Sequence, residues 1–455
     1  MRYVSTRGRA PELGFTDVLL AGLATDGGLY VPAEWPTLPP AAPGASYAER
    51  AAQVITPFVG GEIDTATLQR LCDEAYATFR HPAVAPLVQI DAHQFVQELF
   101  HGPTLAFKDI ALQLVGRMFD HVLGVRGQRV TIVGATSGDT GSAAIDGVKG
   151  CANVDIVILY PLGRTSDVQR RQMTTVDSPN VRVAAVEGTF DDCQDLVKAM
   201  FTDAPFRERL GLSAVNSINW ARVMAQIVYY VTATDELRGP VTFCVPTGNF
   251  GNVLSGWIAR RMGAPIDHFV IASNVNDILA RFINQNDMST APVVPSLSPS
   301  MDIQVSSNFE RLLFEMNDRD GGVTTEQLQR FRAVGRLDVE ADQRAEFIDG
   351  VFRAERLDDA ETLGVIARTY ATTGMLLDPH SAVGVGAVQK LRPEGTVVTL
   401  ATAHPAKFPD AVEQATGVRP QMPPHLADLF DLPERYTVLP NDLAAVQRFV
   451  ERTPG

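Results

Sequence analysis

Lysine is scarce in this sequence. Among 39 basic residues only Lys108, Lys149, Lys198, Lys390 and Lys407 are lysines, and 53 acidic residues leave a formal charge of −14 over 455 residues. With a pI near 5.1, generic attraction to nucleic acid or anionic lipid is disfavoured, so neither partner is expected. Cysteine is sparse as well. Cys72, Cys151, Cys193 and Cys244 stand far apart, with no Cys-x-x-Cys and no Cys/His pair at metal-ligand spacing, which argues against a zinc site or a disulfide framework; no metal requirement is expected. Long apolar runs are missing too. Val154 to Tyr160 and Val397 to Ala401 are strand-sized, short of the roughly 18 to 20 residues of a spanning helix, so no membrane insertion is expected. The first residues carry Arg2, Arg7, Arg9, Glu12 and Asp17 and no apolar core of a secretory signal, which makes the cytoplasm the expected compartment. Neither nucleotide fingerprint occurs: there is no Gly-x-x-x-x-Gly-Lys-Ser/Thr, and Gly134 to Gly141 lacks the Gly-x-Gly-x-x-Gly spacing, which weakens kinase and dehydrogenase readings.

What the sequence does contain is an ordinary globular composition, 45% hydrophobic and 20% charged, long enough for about three structural units. Residues 1–88 read as a separate N-terminal module, broken by Pro32, Pro36, Pro39, Pro40 and Pro43, where no helix or central strand can continue. Residues 89–416 read as an α/β body of two parallel-sheet units. Arg129 to Val133, Val154 to Tyr160, Val181 to Val186, Val241 to Val245 and Thr396 to Leu400 are β-branched runs, each followed by a turn and a helix-period segment, the mark of parallel βαβ units. A helix is predicted from Ser142, and acidic Asp191 and Asp192 suit another helix start. Between Asp318 and Thr373 charged residues such as Glu326, Arg330 and Glu340 read as solvated helix faces and receive no chemistry. Residues 417–455 read as a C-terminal extension packed on the body, with a helix over Leu443 to Val450.

Two strand-to-helix loops are built for anions, because a helix start presents unpaired N–H groups. One is Thr136-Ser-Gly-Asp-Thr140; the other is Gly248-Asn-Phe-Gly-Asn252. In a chain so poor in lysine, Lys108 stands out: it lies in Glu98-Leu-Phe-His-Gly-Pro-Thr-Leu-Ala-Phe-Lys-Asp109, and its apolar flanks would depress an ammonium and favour a free amine. That suits a Schiff-base lysine, with Lys407 as the rival amine. A lysine amine, a phosphate cradle and a polar loop in one α/β body are the parts of a pyridoxal-phosphate enzyme.

The same segments, together with Asn216-Ser-Ile-Asn-Trp-Ala-Arg222, Ser298 to Glu310, Asp378 to Gly384, Thr402 to Phe408 and the N-terminal Tyr3 to Gly8, resemble threonine synthase in its fungal and enterobacterial branch, in the same order from residue 3 to about residue 415. The resemblance implies the tryptophan-synthase-β-like (type II) fold of pyridoxal-phosphate enzymes and conversion of O-phospho-L-homoserine and water to L-threonine and phosphate. It implies that Lys108 carries the cofactor and acts as the base at Cα, that Thr247, Gly248, Asn249, Phe250, Gly251 and Asn252 hold the cofactor phosphate, and that Thr402 bonds the ring nitrogen. Thr136, Ser137 and Thr140 would receive the substrate carboxylate. Asp139 stands beside them where many fold relatives carry an asparagine near the ring 3-oxygen, and two anions would oppose each other there. Asn216, Ser217, Asn219 and Arg222 would hold the leaving phosphate, Arg222 by bidentate pairing. Ser306, Ser307 and Asn308 receive no role beyond loop packing, and His101, His380 and His404 read as structural. A monomer or weak homodimer is expected. The competing readings are a phospholyase or a serine/threonine ammonia-lyase of the same fold, and a non-catalytic metabolite-binding protein.

Overall fold

Strands buried on both faces need helices on both sides, and this requirement sets the architecture of the body. In the computed structural model, which describes residues 1–214 and 217–451, two sheets lie at the centre. The larger has six strands in the order Phe352–Arg356, Ile266–Ser273, Val241–Pro246, Thr396–Ala401, Gln94–Glu98 and Leu87–Asp91, all parallel except the last. The smaller has five parallel strands, Thr437–Pro440, Val181–Glu187, Val154–Pro161, Val130–Ala135 and Leu212–Ser213. Val154–Pro161 and Val241–Pro246 are buried at every position, and each ends on the proline that cannot continue a central strand.

Three elements depart from the sequence reading. The helix after the Gly134 loop begins at Asp139, not at Ser142, with Gly138 at φ 154° as its cap. The charged stretch between Asp318 and Thr373 holds the helices Gly321–Val334, Ala341–Phe347 and Asp359–Thr373, but also the edge strand Phe352–Arg356. The extension contributes a strand as well as a helix: Thr437–Pro440 pairs with Val181–Glu187, and Leu443–Glu451 buries Val446 and Val450 against Cys193, Leu196 and Met200.

Residues 1–88 share a core with the body. The helices Tyr47–Val59 and Thr65–Tyr76 start at the side-chain caps Ser46 and Asp64, and Tyr3 donates to the Phe58 carbonyl at 2.7 Å while accepting from Trp220 Nε1 at 3.1 Å. Trp220 opens the buried helix Trp220–Leu237, which packs against the helices Tyr47–Val59, Lys108–Arg126 and Gly251–Met262. Among the described residues no helix is long and apolar enough to cross a membrane.

Candidate active site

Lys108 opens the helix Lys108–Arg126, and the segment before it is pinned to the end of a central strand. The Phe107 N–H donates to the Thr402 carbonyl at 2.9 Å and the His404 N–H to the Leu105 carbonyl at 3.0 Å. This pairing brings Lys108 and Thr402 to one place at the carboxyl edge of the large sheet, where open α/β folds bind ligands. Leu105 holds a φ of 63°, a left-handed conformation that costs a non-glycine residue about 1 kcal/mol or more and persists where its surroundings impose it. Asp109 turns back to accept from the Thr104 N–H at 2.8 Å and hydroxyl at 2.6 Å. Burial pushes its carboxyl up to about 7.

Two lysines share one carboxylate. Lys108 Nζ lies 3.1 Å from Asp139 Oδ2, and Lys407 Nζ lies 2.7 Å from Asp139 Oδ1. Lys407, fully buried, also donates to the Thr104 carbonyl at 2.8 Å, and Gln169 Nε2 donates to Asp139 Oδ1 at 2.8 Å. Burial lowers the Lys108 amine; Asp139 pulls it back, and the charges of Lys407 and Arg222 press it down again, so that it stays below the usual lysine value. Burial alone would raise Asp139, but the two ammonium groups overcome it and hold the carboxyl well below the carboxylate range. Asp139 is therefore shared between Lys108 and Lys407, a pairing that sequence spacing does not signal. Lys149, Lys198 and Lys390 lie exposed, beside Asp146, Asp195 and Glu361.

The glycine loop after Val241–Pro246 leads into the helix Gly251–Met262 through Phe250 at φ 64°. A Cβ at Gly248 would lie 2.9 Å from Ile303 Cδ1 and 3.0 Å from the Ser300 carbonyl, so only glycine lets this backbone pass. Asn252 spends its side chain inside the loop, accepting from Thr247 Oγ1 at 2.6 Å and from the Val253 N–H at 3.0 Å while donating to the Pro246 carbonyl at 2.9 Å. It thus shapes the loop and takes one N–H of the first helical turn, at a helix start where the remaining unpaired backbone N–H groups favour an anion. The segment 306–308 braces the loop from outside: Ser306 donates to the Gly248 carbonyl, Ser307 to Asn249 Oδ1, and the Asn308 N–H to the Asn249 carbonyl.

On the substrate side, the Thr136 hydroxyl accepts from the N–H groups of Gly138 and Gly141, Ser137 is exposed, and Thr140 is partly buried. Asn216 lies outside the described residues. Ser217 reaches Ser307 at 3.4 Å, which links it to the glycine loop. Asn219 caps the helix Trp220–Leu237 and donates to the Leu19 carbonyl at 2.9 Å, so its side chain is engaged in structure. Arg222 is the exception. It is buried, and its Nε and Nη1 have no partner among the described residues; burial lowers its guanidinium to about 10. A buried cation with no partner for these nitrogens among the described residues calls for an anion.

Sequence reasoning missed Gln169 and Arg311. Arg311 donates to the carbonyls of Tyr30 at 3.0 Å and Ile218 at 2.7 Å and to Asn308 Oδ1 at 2.5 Å, tying the N-terminal residues, the Ser217 segment and the Asn308 loop together. A lone arginine in a helix gave no signal of that reach. The histidines are held: His380 lies 2.7 Å from Asp378 and accepts from the Ser300 N–H, His101 lies 2.7 Å from Glu98, and burial lowers His404 to about 4.

An amine held below its usual pKa, a cradle that a Cβ would fill and a hydroxyl-bearing residue at the strand end fit pyridoxal phosphate. Residues 78–347 match the family described as pyridoxal-phosphate dependent enzyme, the class that this sheet edge and its lysine define. Residues 2–76 match the threonine synthase N terminus and residues 381–450 the threonine synthase C-terminal family. The chain belongs to the threonine synthase family, pyridoxal-phosphate-dependent lyases. It is 55% identical over 462 residues to threonine synthase of Pseudomonas aeruginosa, with 99% of this chain and 98% of that protein covered. The crystal structure of pyridoxal-phosphate-bound threonine synthase from Brucella melitensis superposes with a TM-score of 0.96 at 53% identity, covering 99% of this chain and 98% of that one. That of yeast threonine synthase gives 0.94 at 38% identity, with the same coverage. Serine racemase of maize, at 13% identity, shares the fold alone.

Proposed function

We propose that the chain converts O-phospho-L-homoserine and water to L-threonine and phosphate, by γ-elimination and β-addition of water. The observation that carries this reading is Arg222, a buried guanidinium with two nitrogens unpartnered among the described residues, near enough to Lys108 for its charge to depress that amine. A phosphate leaving group is the anion that matches it: a planar guanidinium binds phosphate bidentately and stabilises the charge as it departs. Pyridoxal phosphate, when bound, supplies the electron-accepting ring that makes the substrate Cα proton acidic.

The chain's own residues do the rest in this reading. Lys108 Nζ takes the Cα proton and moves protons at Cβ and Cγ, a task that its depressed pKa suits. Asp139, ionised between Lys108 and Lys407, orients that nitrogen. Thr247 and the Gly248 to Asn252 loop hold the cofactor phosphate, and Thr402 faces the ring nitrogen with a neutral hydroxyl. Thr136, Ser137 and Thr140 receive the substrate carboxylate by hydroxyl and backbone groups, while Arg222 holds the leaving phosphate with Ser217, and Asn219 contributes by capping the helix that carries Arg222. Residues 1–88, 89–416 and 417–455 are the units, in the cytoplasm, as a monomer or weak homodimer without nucleic-acid or membrane partners.

The test is to incubate the pyridoxal-phosphate-loaded protein with O-phospho-L-homoserine and quantify phosphate, threonine and 2-oxobutyrate together. Equal phosphate and threonine is the expected result. Phosphate with 2-oxobutyrate would make it a phospholyase, and no phosphate would remove the substrate. Lys108→Ala should abolish turnover while still permitting weak cofactor binding; substantial retained activity would move the assignment to Lys407.

A further inference from the structure

We infer that Glu434, in the C-terminal extension, is a positioning residue for the Lys108–Asp139 pair, acting through the helix Asp167–Thr174. That helix has two faces with different jobs. On one, Gln169 and Gln172, three residues apart and therefore on the same side, reach into the site: Gln169 donates to Asp139 Oδ1 at 2.8 Å, and Gln172 to the Thr104 carbonyl at 3.0 Å, the same carbonyl that takes the Lys407 ammonium. The Gln169 side chain packs so closely over Gly138 that a Cβ there would lie 2.4 Å from it, so a small shift of the helix moves Gln169 off Asp139.

The other face is held by the extension. Arg170 donates to both Glu434 oxygens, at 2.9 and 3.1 Å, and the Thr174 hydroxyl donates to Oε2 at 2.7 Å. The Arg435 N–H caps the Thr174 carbonyl. A bidentate pair joined by a hydroxyl fixes both rotation and slide of a short helix, as a single apolar contact would not. The extension itself starts from the helix Pro409–Thr416, packed beside Asp359–Thr373, and ends in the small sheet. Glu434 is thus held in place independently of the site that it serves.

The inference rests on Lys108 carrying the cofactor. The experiment uses the full-length, cofactor-loaded protein and reads the pH midpoint of its visible absorbance, together with the pyridoxal phosphate dissociation constant of the apo-protein. Gln169→Ala should move the midpoint up by about half a pH unit, because Asp139 without this donor holds a proton on the Lys108 nitrogen more firmly. Glu434→Ala should move it the same way and weaken cofactor binding several-fold, with Glu434→Gln recovering at least half of both effects. The double variant should shift no further than Gln169→Ala alone, since residues acting in series are not additive. Val446→Ala, which loosens the extension away from this helix, should lower Tm and leave the midpoint alone. An unmoved midpoint in Glu434→Ala, or shifts that add in the double variant, would overturn the inference. If Glu434→Ala does not fold, Glu434→Gln and Thr174→Val decide it by the same readings. Turnover, or a borohydride-reducible cofactor adduct, surviving in Lys108→Ala would instead sink the lysine assignment, which separates the two failures.

Discussion

Arg222 and Lys407 are both buried cations, and the structure treats them oppositely. Lys407 has its carboxylate and a carbonyl; Arg222 has two nitrogens, Nε and Nη1, without a partner among the described residues. A charge buried without a partner carries its desolvation cost unoffset, and an apolar side chain of similar length does not. Arg222→Met should therefore raise Tm while lowering kcat/KM for the phosphorylated substrate by roughly 10²- to 10⁴-fold, with the cofactor absorbance unchanged. A fall in Tm, measured in the absence of substrate, would make Arg222 a structural residue. Lys407→Met predicts a different signature. The Lys407 charge depresses Lys108, so its loss raises that amine and moves the acid limb of the kcat/KM profile up by about one pH unit; an unshifted limb would dissociate the two. At this scale Lys108 was legible because its depressant is partly local: Leu105 and Phe107 flank it in sequence. Asp139, Gln169 and Lys407 meet from far-separated segments, and no local pattern of residue types encodes such a meeting.

Strand-to-helix junctions carry the site, and their chemistry is written into short windows. The Gly248 loop illustrates this: glycine where a Cβ would strike Ile303 and the Ser300 carbonyl, then a helix start. Gly248→Ala should weaken pyridoxal phosphate binding by ten-fold or more, while shifting Tm by little, because the loop can move outward at the expense of the cradle. Titrating the apo-variant with cofactor checks it, and wild-type affinity would show the loop to be a plain turn. Buried parallel strands were legible for the same reason, since unbroken β-branched runs such as Val154–Pro161 admit few alternatives. Phe352–Arg356 was not. As an edge strand it pairs on one side and exposes Arg353, so its charges made it resemble the solvated helices around it. Thr437–Pro440, largely exposed on the edge of the other sheet, hid in a similar way.

Across the molecule, the two termini close what the α/β body leaves open. The N-terminal residues join the main core through Tyr3, Phe58 and Trp220, and the extension covers the outer edge of the small sheet and the apolar face of Cys193, Leu196 and Met200. A chain ending after Tyr436 would expose both, losing about 1.5–3 kcal/mol for each buried valine of the last helix and presenting an unpaired strand to other chains. It should self-associate, as light scattering would report; a monomeric truncated chain of unchanged Tm would refute this. The long-range part of this arrangement was invisible to composition and spacing because it depends on which edge a late segment reaches. The order of the strands also has a consequence for biosynthesis. Translation delivers a chain from its N-terminus, so four strands of the small sheet exist before the fifth, Thr437–Pro440, has been decoded. The nascent protein must then wait with its sheet unfinished until codons 437 to 440 are read, which makes a chain terminated before them an open template for chaperone or protease.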